Sequence, residues 1–374
     1  MQVIRQKTMI IVGGLETLKT LEMQKVFVVA DPFFLETSAF SVLKQTLEGM
    51  IVEVFSDIQP DPPIEQVVDG VGKMQEFQPD TMIAIGGGSA IDAAKAMKYF
   101  YAQAVPVSKI QFIAIPTTSG TGSEVTNFSI ITDSAKALKY PLVTGEILPD
   151  VAILDKELTK TLPPKVTADT GMDVLTHCLE AFVSIKANDF SNLYAEKAFR
   201  FVFRYLPTCF KEADNNQARE KMHIASTLAG MSFNIAELGL NHGIAHAAGA
   251  RFHIAHGRMN SILMPEIIAF NAGFDGSENE VCKHTQSRYA KLACMIGVES
   301  YQDRQAVKGL IREIKKLRST LEMPSTLSEC GIKKSDVMAQ IHEIAAAALA
   351  DATTSTNPRV PSQEDVERMI EKVC

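Results

Sequence analysis

Thr81-Met82-Ile83-Ala84-Ile85-Gly86-Gly87-Gly88-Ser89-Ala90-Ile91-Asp92-Ala93-Ala94-Lys95-Ala96 carries the clearest statement of fold class in the chain. Its first five residues form a continuous apolar run, the pattern of a strand covered on both faces. Gly86 to Ser89 interrupt that run, and Ala90 to Ala96 have the composition of a helix. Glycines let a backbone approach a phosphate closely, and a helix N-terminus offers free N–H groups at the positive end of its dipole. The stretch is not a G-x-G-x-x-G fingerprint, and a tight strand-to-helix turn with a serine cap is its plainer reading.

On either side of it the same alternation recurs. Val26 to Ala30, Ile51 to Phe55, Phe112 to Ile115 and Val151 to Leu154 are further Val- and Ile-rich runs, separated by helical patterns. This is how a parallel sheet with crossover helices looks in sequence, and ligands of such sheets bind at the carboxyl ends of the strands. Two of those ends carry further candidates. Pro116-Thr117-Thr118-Ser119-Gly120-Thr121 brings hydroxyls and flexible backbone towards the same crevice, and Asp31 follows Val26 to Ala30. An acidic residue there accepts a hydrogen bond from an adenosine ribose and repels a 2′-phosphate, which favours NAD over NADP; Asp31-Pro32 also suits a simple turn. Beyond Leu162-Pro163-Pro164 the strand-like runs vanish, and amphipathic helical spacing dominates from Val166 to Cys374. The reading is a two-domain chain. Residues 1–160 are expected to form a dinucleotide-binding α/β domain with a parallel, Rossmann-like sheet, and residues 161–374 an all-helical domain, whose histidines, taken up below, make it the expected metal-binding and catalytic part.

Composition narrows the function. A net charge of -7 and a pI near 5.7 leave no electrostatic footprint for nucleic acid. No apolar run reaches the roughly 20 residues needed to span a bilayer, and no signal-peptide core follows the N-terminal charges, so a cytoplasmic protein without a membrane partner is expected. The six cysteines include no C-x-x-C pair, which argues against both a disulfide framework and a thiolate zinc site.

Four of the eight histidines, His242, His246, His253 and His256, fall within fifteen residues. Neutral imidazole is the commonest protein ligand of divalent transition metals. Upstream, Asp173 and His177 stand four apart in Gly171-Met172-Asp173-Val174-Leu175-Thr176-His177-Cys178-Leu179-Glu180, which puts both on one face of a predicted helix. Together they suit a mixed nitrogen and oxygen site for Fe(II) or Zn. On one unbroken helix His242 and His256 would lie about 21 Å apart, so both can bind one ion only if the chain bends between them. Gly249 and Gly257 make such a bend possible. Spacing alone leaves open which members of the pairs His242/His246 and His253/His256 are ligands.

These motifs, in combination and from end to end of the chain, resemble the iron-containing (group III) alcohol dehydrogenases. The resemblance implies that Asp173, His177, His242 and His256 hold the metal, Fe(II) with Zn as the substitute, and that His246 lies beside substrate and nicotinamide as the catalytic proton relay. It also implies that Asp31, Gly86, Gly87, Gly88, Ser89, Asp92, Thr117, Thr118, Thr121 and Lys139 surround NAD(H). Asp61 falls where many relatives carry Asn, Ala255 where Pro is frequent, and Arg258 is unusual after the His-Gly pair. Lys139-Tyr140-Pro141-Leu142, Asn241-His242 and Thr356-Asn357-Pro358-Arg359 look most like the 1-propanol and ethanol dehydrogenases of bacterial microcompartments.

The expected activity is therefore metal-dependent, NAD(H)-linked interconversion of short-chain aldehydes (propionaldehyde, acetaldehyde) and primary alcohols, recycling NADH to NAD. The expected partners are the small substrate, further copies of the chain in a homodimer or larger homo-oligomer, and microcompartment shell or enzyme proteins. The alternatives are a glycerol or diol dehydrogenase, a lyase like dehydroquinate synthase, and a metal-binding compartment protein. A lyase of that kind needs several cations around its phosphorylated substrate, and only Arg251 and Arg258 lie near the histidines.

Overall fold

The computed structural model describes residues 7–105, 109–133 and 138–374. The chain divides into two compact units, Met1–Thr161 and Leu162–Cys374. Among the described residues, no helix is long and apolar enough to cross a membrane.

The first unit runs β1 (Met9–Val12), β2 (Lys25–Ala30), α1 (Ser38–Thr46), β3 (Ile51–Phe55), α2 (Ile64–Phe77), β4 (Thr81–Gly86), α3 (Gly88–Ala104), β5 (Gln111–Pro116), β6 (Phe128–Asp133), β7 (Leu138–Val143) and β8 (Val151–Leu154). Six strands form a parallel sheet in the order β1-β8-β5-β4-β2-β3. The uninterrupted apolar run of β4 has a direct cause: Met82 and Ala84 face one core with Phe27 and Val29, while Ile83 and Ile85 face another with Val26 and Val28. From β2 the chain steps outward to β3 and then crosses back to β4 on the other side of β2. The crevice at the carboxyl ends of β2 and β4 is thus the topological switch point, where open α/β sheets take their ligands.

Two features differ from the sequence reading. β1 is a four-residue edge strand, exposed at Met9 and Val12, and its short run gives little signal. An antiparallel hairpin, β6 paired with β7, stands apart from the main sheet. Its polar residues and Pro141 mask it as a strand pair.

The second unit contains α4 (Pro164–Val183), α5 (Asp189–Lys211), α6 (Asn216–Ala236), α7 (Leu240–Phe252), α8 (His256–Asn271), α9 (Glu280–Met295), α10 (Asp303–Thr320), α11 (Lys334–Met338), α12 (Ile341–Ala350) and α13 (Gln363–Lys372). It holds two cores. One joins α4, α5, α6, α9 and α10; the other joins α7, α11, α12 and α13, and α8 contributes to both. From Gly171 to Val183 every residue of α4 is buried, so Asp173, His177 and Glu180 lie at the centre of the unit.

The bend between α7 and α8 is not made by a glycine. Gly249 and Gly257 both lie within helices, and His253, with φ 52, adopts the left-handed conformation that ends α7. The amide of Ile254 then donates back to the Gly249 carbonyl at 3.1 Å, closing the helix end. Gly257 has another purpose: a Cβ on it would come within 1.9 Å of the Asp169 carbonyl oxygen, so it permits α8 to touch the backbone of α4.

Candidate metal centre and dinucleotide site

Asp173 and His177 of α4 meet His242 of α7 and His256 at the first position of α8. Ligand atoms of Asp173, His177 and His242 all lie within 4.8 Å of one another. Asp173 Oδ2 is 3.9 Å from His177 Nε2, and Asp173 Oδ1 is 3.7 Å from His242 Nε2 and 3.5 Å from His256 Nε2. Bonds of about 2.1 Å in tetrahedral geometry put ligand atoms roughly 3.4 Å apart, so this donor set has the size and chemistry for one divalent ion. The first three side chains are buried, whereas the His256 side chain is 40 % exposed and stands at the rim.

Neighbouring polar groups orient the donors. Glu180 accepts from His242 Nδ1 at 2.5 Å and from the Asn241 amide at 2.6 Å, which turns His242 Nε2 towards Asp173. The side-chain amide of Asn260 donates to Asp173 Oδ1 at 2.8 Å, and Asn241 Nδ2 donates to Asn260 Oδ1 at 2.8 Å, fixing that orientation. Carboxylate and amide partners of this kind fix ligand orientation and tautomer in metal sites. Burial opposes ionisation of the Asp173 carboxyl, but the surrounding rings of His177, His256 and His242 hold it well below the carboxylate range. Burial likewise works against a proton on His242, yet Glu180 and Asp173 push its pKa up to about 9.

His246, one turn after His242, lies outside the tight cluster. Its ring stacks on that of His256 with centroids 5.2 Å apart, and its Nδ1 is 2.9 Å from Asp351 Oδ2. Burial would raise the Asp351 carboxyl, but the bond to His246 leads the contacts that bring it down to about 2, so the carboxylate accepts and Nδ1 carries the proton. Nε2 is then the nitrogen free for chemistry. His253, the remaining member of the histidine-rich stretch, is exposed at the bend. Glu180 was within reach of the sequence, standing three residues after His177 on the same helix. Asn260 and Asp351 were missed, because the Asp173 carboxylate and the His246 ring that they hold are 87 and 105 residues away along the chain.

In the first unit the switch point gathers most of the expected dinucleotide residues. Asp31 follows the last residue of β2 and accepts the Gly87 amide at 2.7 Å; burial raises its carboxyl pKa and that bond opposes the rise. A Cβ on Gly86 would lie 2.4 Å from Asp31 Oδ2, and one on Gly88 would lie 2.8 Å from Thr121 Cγ2. A Cβ on Gly87 would meet nothing nearer than 3.8 Å, with Asp31 and Thr118 its closest neighbours. Space therefore remains over the start of α3, which no side chain caps and where Ser89 lies in the first turn. Thr117 is tied to this turn by its amide, which donates to the Gly86 carbonyl at 2.9 Å. An uncapped helix N-terminus with hydroxyls beside it fits a phosphate. Asp61 adopts the left-handed conformation, φ 53, in the loop before α2.

Asp92 is engaged within the fold, accepting from Ser123 Oγ at 2.6 Å and from the Ile130 amide at 3.0 Å. Buried Lys95, one turn later, donates to Ser123, Thr126 and the Phe128 carbonyl, so the two residues fasten the 117–126 loop and β6 to α3. The side chain of Lys139 lies outside the described residues.

Residues 11–156 match the family described as iron-containing alcohol dehydrogenase, and residues 167–374 match the Fe-containing alcohol dehydrogenase family, C-terminal. The chain belongs to the iron-containing alcohol dehydrogenase family, a family of oxidoreductases. It is 43% identical over 364 residues to the 1-propanol dehydrogenase PduQ of Salmonella typhimurium, covering 96% of each chain. It is 40% identical over 379 residues to the NADPH-dependent butanol dehydrogenase of Clostridium saccharobutylicum, covering 96% of this chain and 94% of that one. Among solved structures it is similar to the sulfoacetaldehyde reductase of Bifidobacterium kashiwanohense in complex with NAD+, with a TM-score of 0.86 and 26% identity over 100% of this chain and 98% of the other.

Proposed function

We propose that this alcohol dehydrogenase interconverts short-chain aldehydes, propionaldehyde and acetaldehyde foremost, with their primary alcohols, using NAD(H) and an Fe(II) ion that Zn can replace. The observation that carries the reading is the convergence of Asp173, His177, His242 and His256 on one point, with the Asp351-held His246 beside it. Likeness to a 1-propanol dehydrogenase supports the substrate class. When bound, the ion supplies Lewis-acid polarisation of a carbonyl and the dinucleotide supplies hydride chemistry.

The chain's residues do the rest. Asp173 and the three imidazoles hold and orient, Glu180 and Asn260 keep them aimed, and His246 Nε2 exchanges a proton with the substrate oxygen, directly or through water. Asp351 keeps the proton on Nδ1 in the resting tautomer and steadies the ring when Nε2 gains one. Asp31, at the carboxyl end of β2, takes the adenosine ribose, and its charge disfavours a 2′-phosphate; the NADPH-dependent relative makes this choice a point to test. The resemblance of Lys139 to Leu142, Asn241-His242 and Thr356 to Arg359 to the microcompartment dehydrogenases supports work inside or beside a protein-shelled compartment, in a homo-oligomer.

The test is an anaerobic assay of Fe(II)- and Zn-reconstituted protein against aldehydes of increasing length, with NADH and NADPH in parallel. Propionaldehyde-dependent NADH oxidation is expected, and Asp31→Gly should narrow the preference for NADH over NADPH. Absence of oxidation with any short aldehyde, at full metal occupancy, would overturn the reading.

A further inference from the structure

His256 is the one candidate ligand at the rim, and it opens a helix whose N-terminus has no side-chain cap. It also follows a bend made without glycine or proline. The stacked His246 ring and the Asn260 amide, 3.1 Å from Nε2, touch its ring, but the helix start that carries it needs a hold of its own. Two residues on, Arg258 reaches back to α4 and donates twice to Asp169, from Nε to Oδ1 at 3.1 Å and from a terminal guanidinium nitrogen to Oδ2 at 2.7 Å. Both side chains are largely withdrawn from water, with 17% and 13% exposure. Forked guanidinium–carboxylate pairs fix geometry as well as adding energy, and partial burial protects this one from salt.

The placement of the pair matters. Asp169 lies one helical turn before Asp173 on α4, so the two carboxylates share a face. Asp173 faces His256 and Asn260 on α8, and Asp169 faces Arg258 on the same helix. Between them, Gly257 lets the two backbones touch. The first turn of α8 is thus held to α4 by a charge pair on one side of His256 and by the metal carboxylate on the other.

We infer that the Asp169–Arg258 pair is a positioning device for the metal centre: it pre-sets His256 before an ion arrives and thereby sets metal affinity. This rests on His256 being a ligand, as proposed above. Neither Asp169 nor Arg258 touches the ion; both act through the placement of α8. Partners that orient metal ligands typically change metal affinity by 10–100-fold when removed.

The experiment compares the full-length chain with Arg258→Leu, Arg258→Lys, Asp169→Asn, the exchanged pair Asp169→Arg/Arg258→Asp, and His256→Ala. Zn affinity is read by competition with a chelating dye, Co(II) coordination by visible absorption, and metal-free folding by circular dichroism and melting. Arg258→Leu and Asp169→Asn should each weaken Zn binding about 10-fold or more and change the Co(II) spectrum. Arg258→Lys, which keeps the charge but not the fork, should fall between wild type and Arg258→Leu. Recovery of affinity in the exchanged pair would show that the contact itself is responsible. Wild-type Zn affinity and Co(II) spectrum in Arg258→Leu, with or without a lower metal-free melting temperature, would overturn the inference. His256→Ala separates the two failures: full metal retention there sinks the ligand assignment, whereas metal loss there with none in Arg258→Leu sinks only the positioning role.

Discussion

Among single residues, a division of labour between the histidines follows from what holds each ring. His242 has Glu180 behind it and Asp173 in front, whereas His246 is held at Nδ1 by Asp351 and through its ring face by His256, with Nε2 open. Replacing His246 by Ala should therefore leave metal content intact while kcat falls by about 10²- to 10⁴-fold, the usual weight of a general acid–base group. Asp351→Asn should lower kcat in the same direction, again with metal retained; metal analysis beside steady-state kinetics checks both. The raised pKa of His242, about 9, makes a further demand. Below that pH an incoming ion must displace a proton from the ring, so apparent metal affinity should climb with pH, by up to tenfold per unit, and level off near pH 9. Titration calorimetry in buffers of different ionisation enthalpy should detect about one proton released per ion at pH 7, and a pH-independent affinity would contradict this account. Much of this site was legible in advance: the i, i+4 spacing of Asp173 and His177 and the density of histidines announced a metal. The choice between His253 and His256 was not readable from spacing, because it depends on a bend that a non-glycine residue makes.

Among the elements, α3 shows how one sequence stretch can serve a ligand and its own fold together. Its glycine-rich start stays open, while Asp92 and Lys95 on its next turns tie down the following loop and hairpin. Burial holds the Lys95 ammonium below its ordinary value of 10.5, at about 8, against the pull of Asp92 and Glu124. Between those pH values the unfolded chain keeps a proton that the folded chain has shed, so this residue's contribution to stability rises with pH, by up to roughly 3 kcal/mol. Denaturant unfolding of wild type and Lys95→Met at pH 7.5 and 10 should show that rise in the first and not in the second. The runs of β2, β4, β5 and β8 were readable because each is covered on both faces, whereas β3, exposed at Ile51, Val52 and Val54, was readable from its Val and Ile content alone. The β6–β7 hairpin was not, since its stability comes from contacts with α3 that local composition does not encode.

For the whole molecule, the sites proposed above give the two units different chemistry, so they should answer to different ligands. A metal chelator should lower the melting temperature of the metal-loaded protein, and hydrogen exchange should quicken in α4, α7 and α8 while β4 and α3 hold their protection; NAD should slow exchange at the start of α3. The chelator effect follows from mass action, about 2.7 kcal/mol for an ion present at a hundredfold excess over its Kd. Uniform loosening of both units on metal removal would contradict this separation. The change from alternating strands and helices to helices alone, after Leu162-Pro163-Pro164, made the two-part organisation visible in the chain. Packing of α8 across two cores was hidden, because it depends on partners from α4 to α13.

The left-handed bend at His253 leaves the protein with untapped mutational headroom. A side-chain-bearing residue in that conformation costs roughly 1 kcal/mol more than glycine, while glycine's extra freedom in the unfolded chain returns part of the difference. His253 is exposed, and its ring lies outside the donor set. His253→Gly should thus leave metal content unchanged and hold or slightly raise the melting temperature. A lineage drifting at this position could gain tolerance for harsher changes around the substrate without touching a single metal-binding atom.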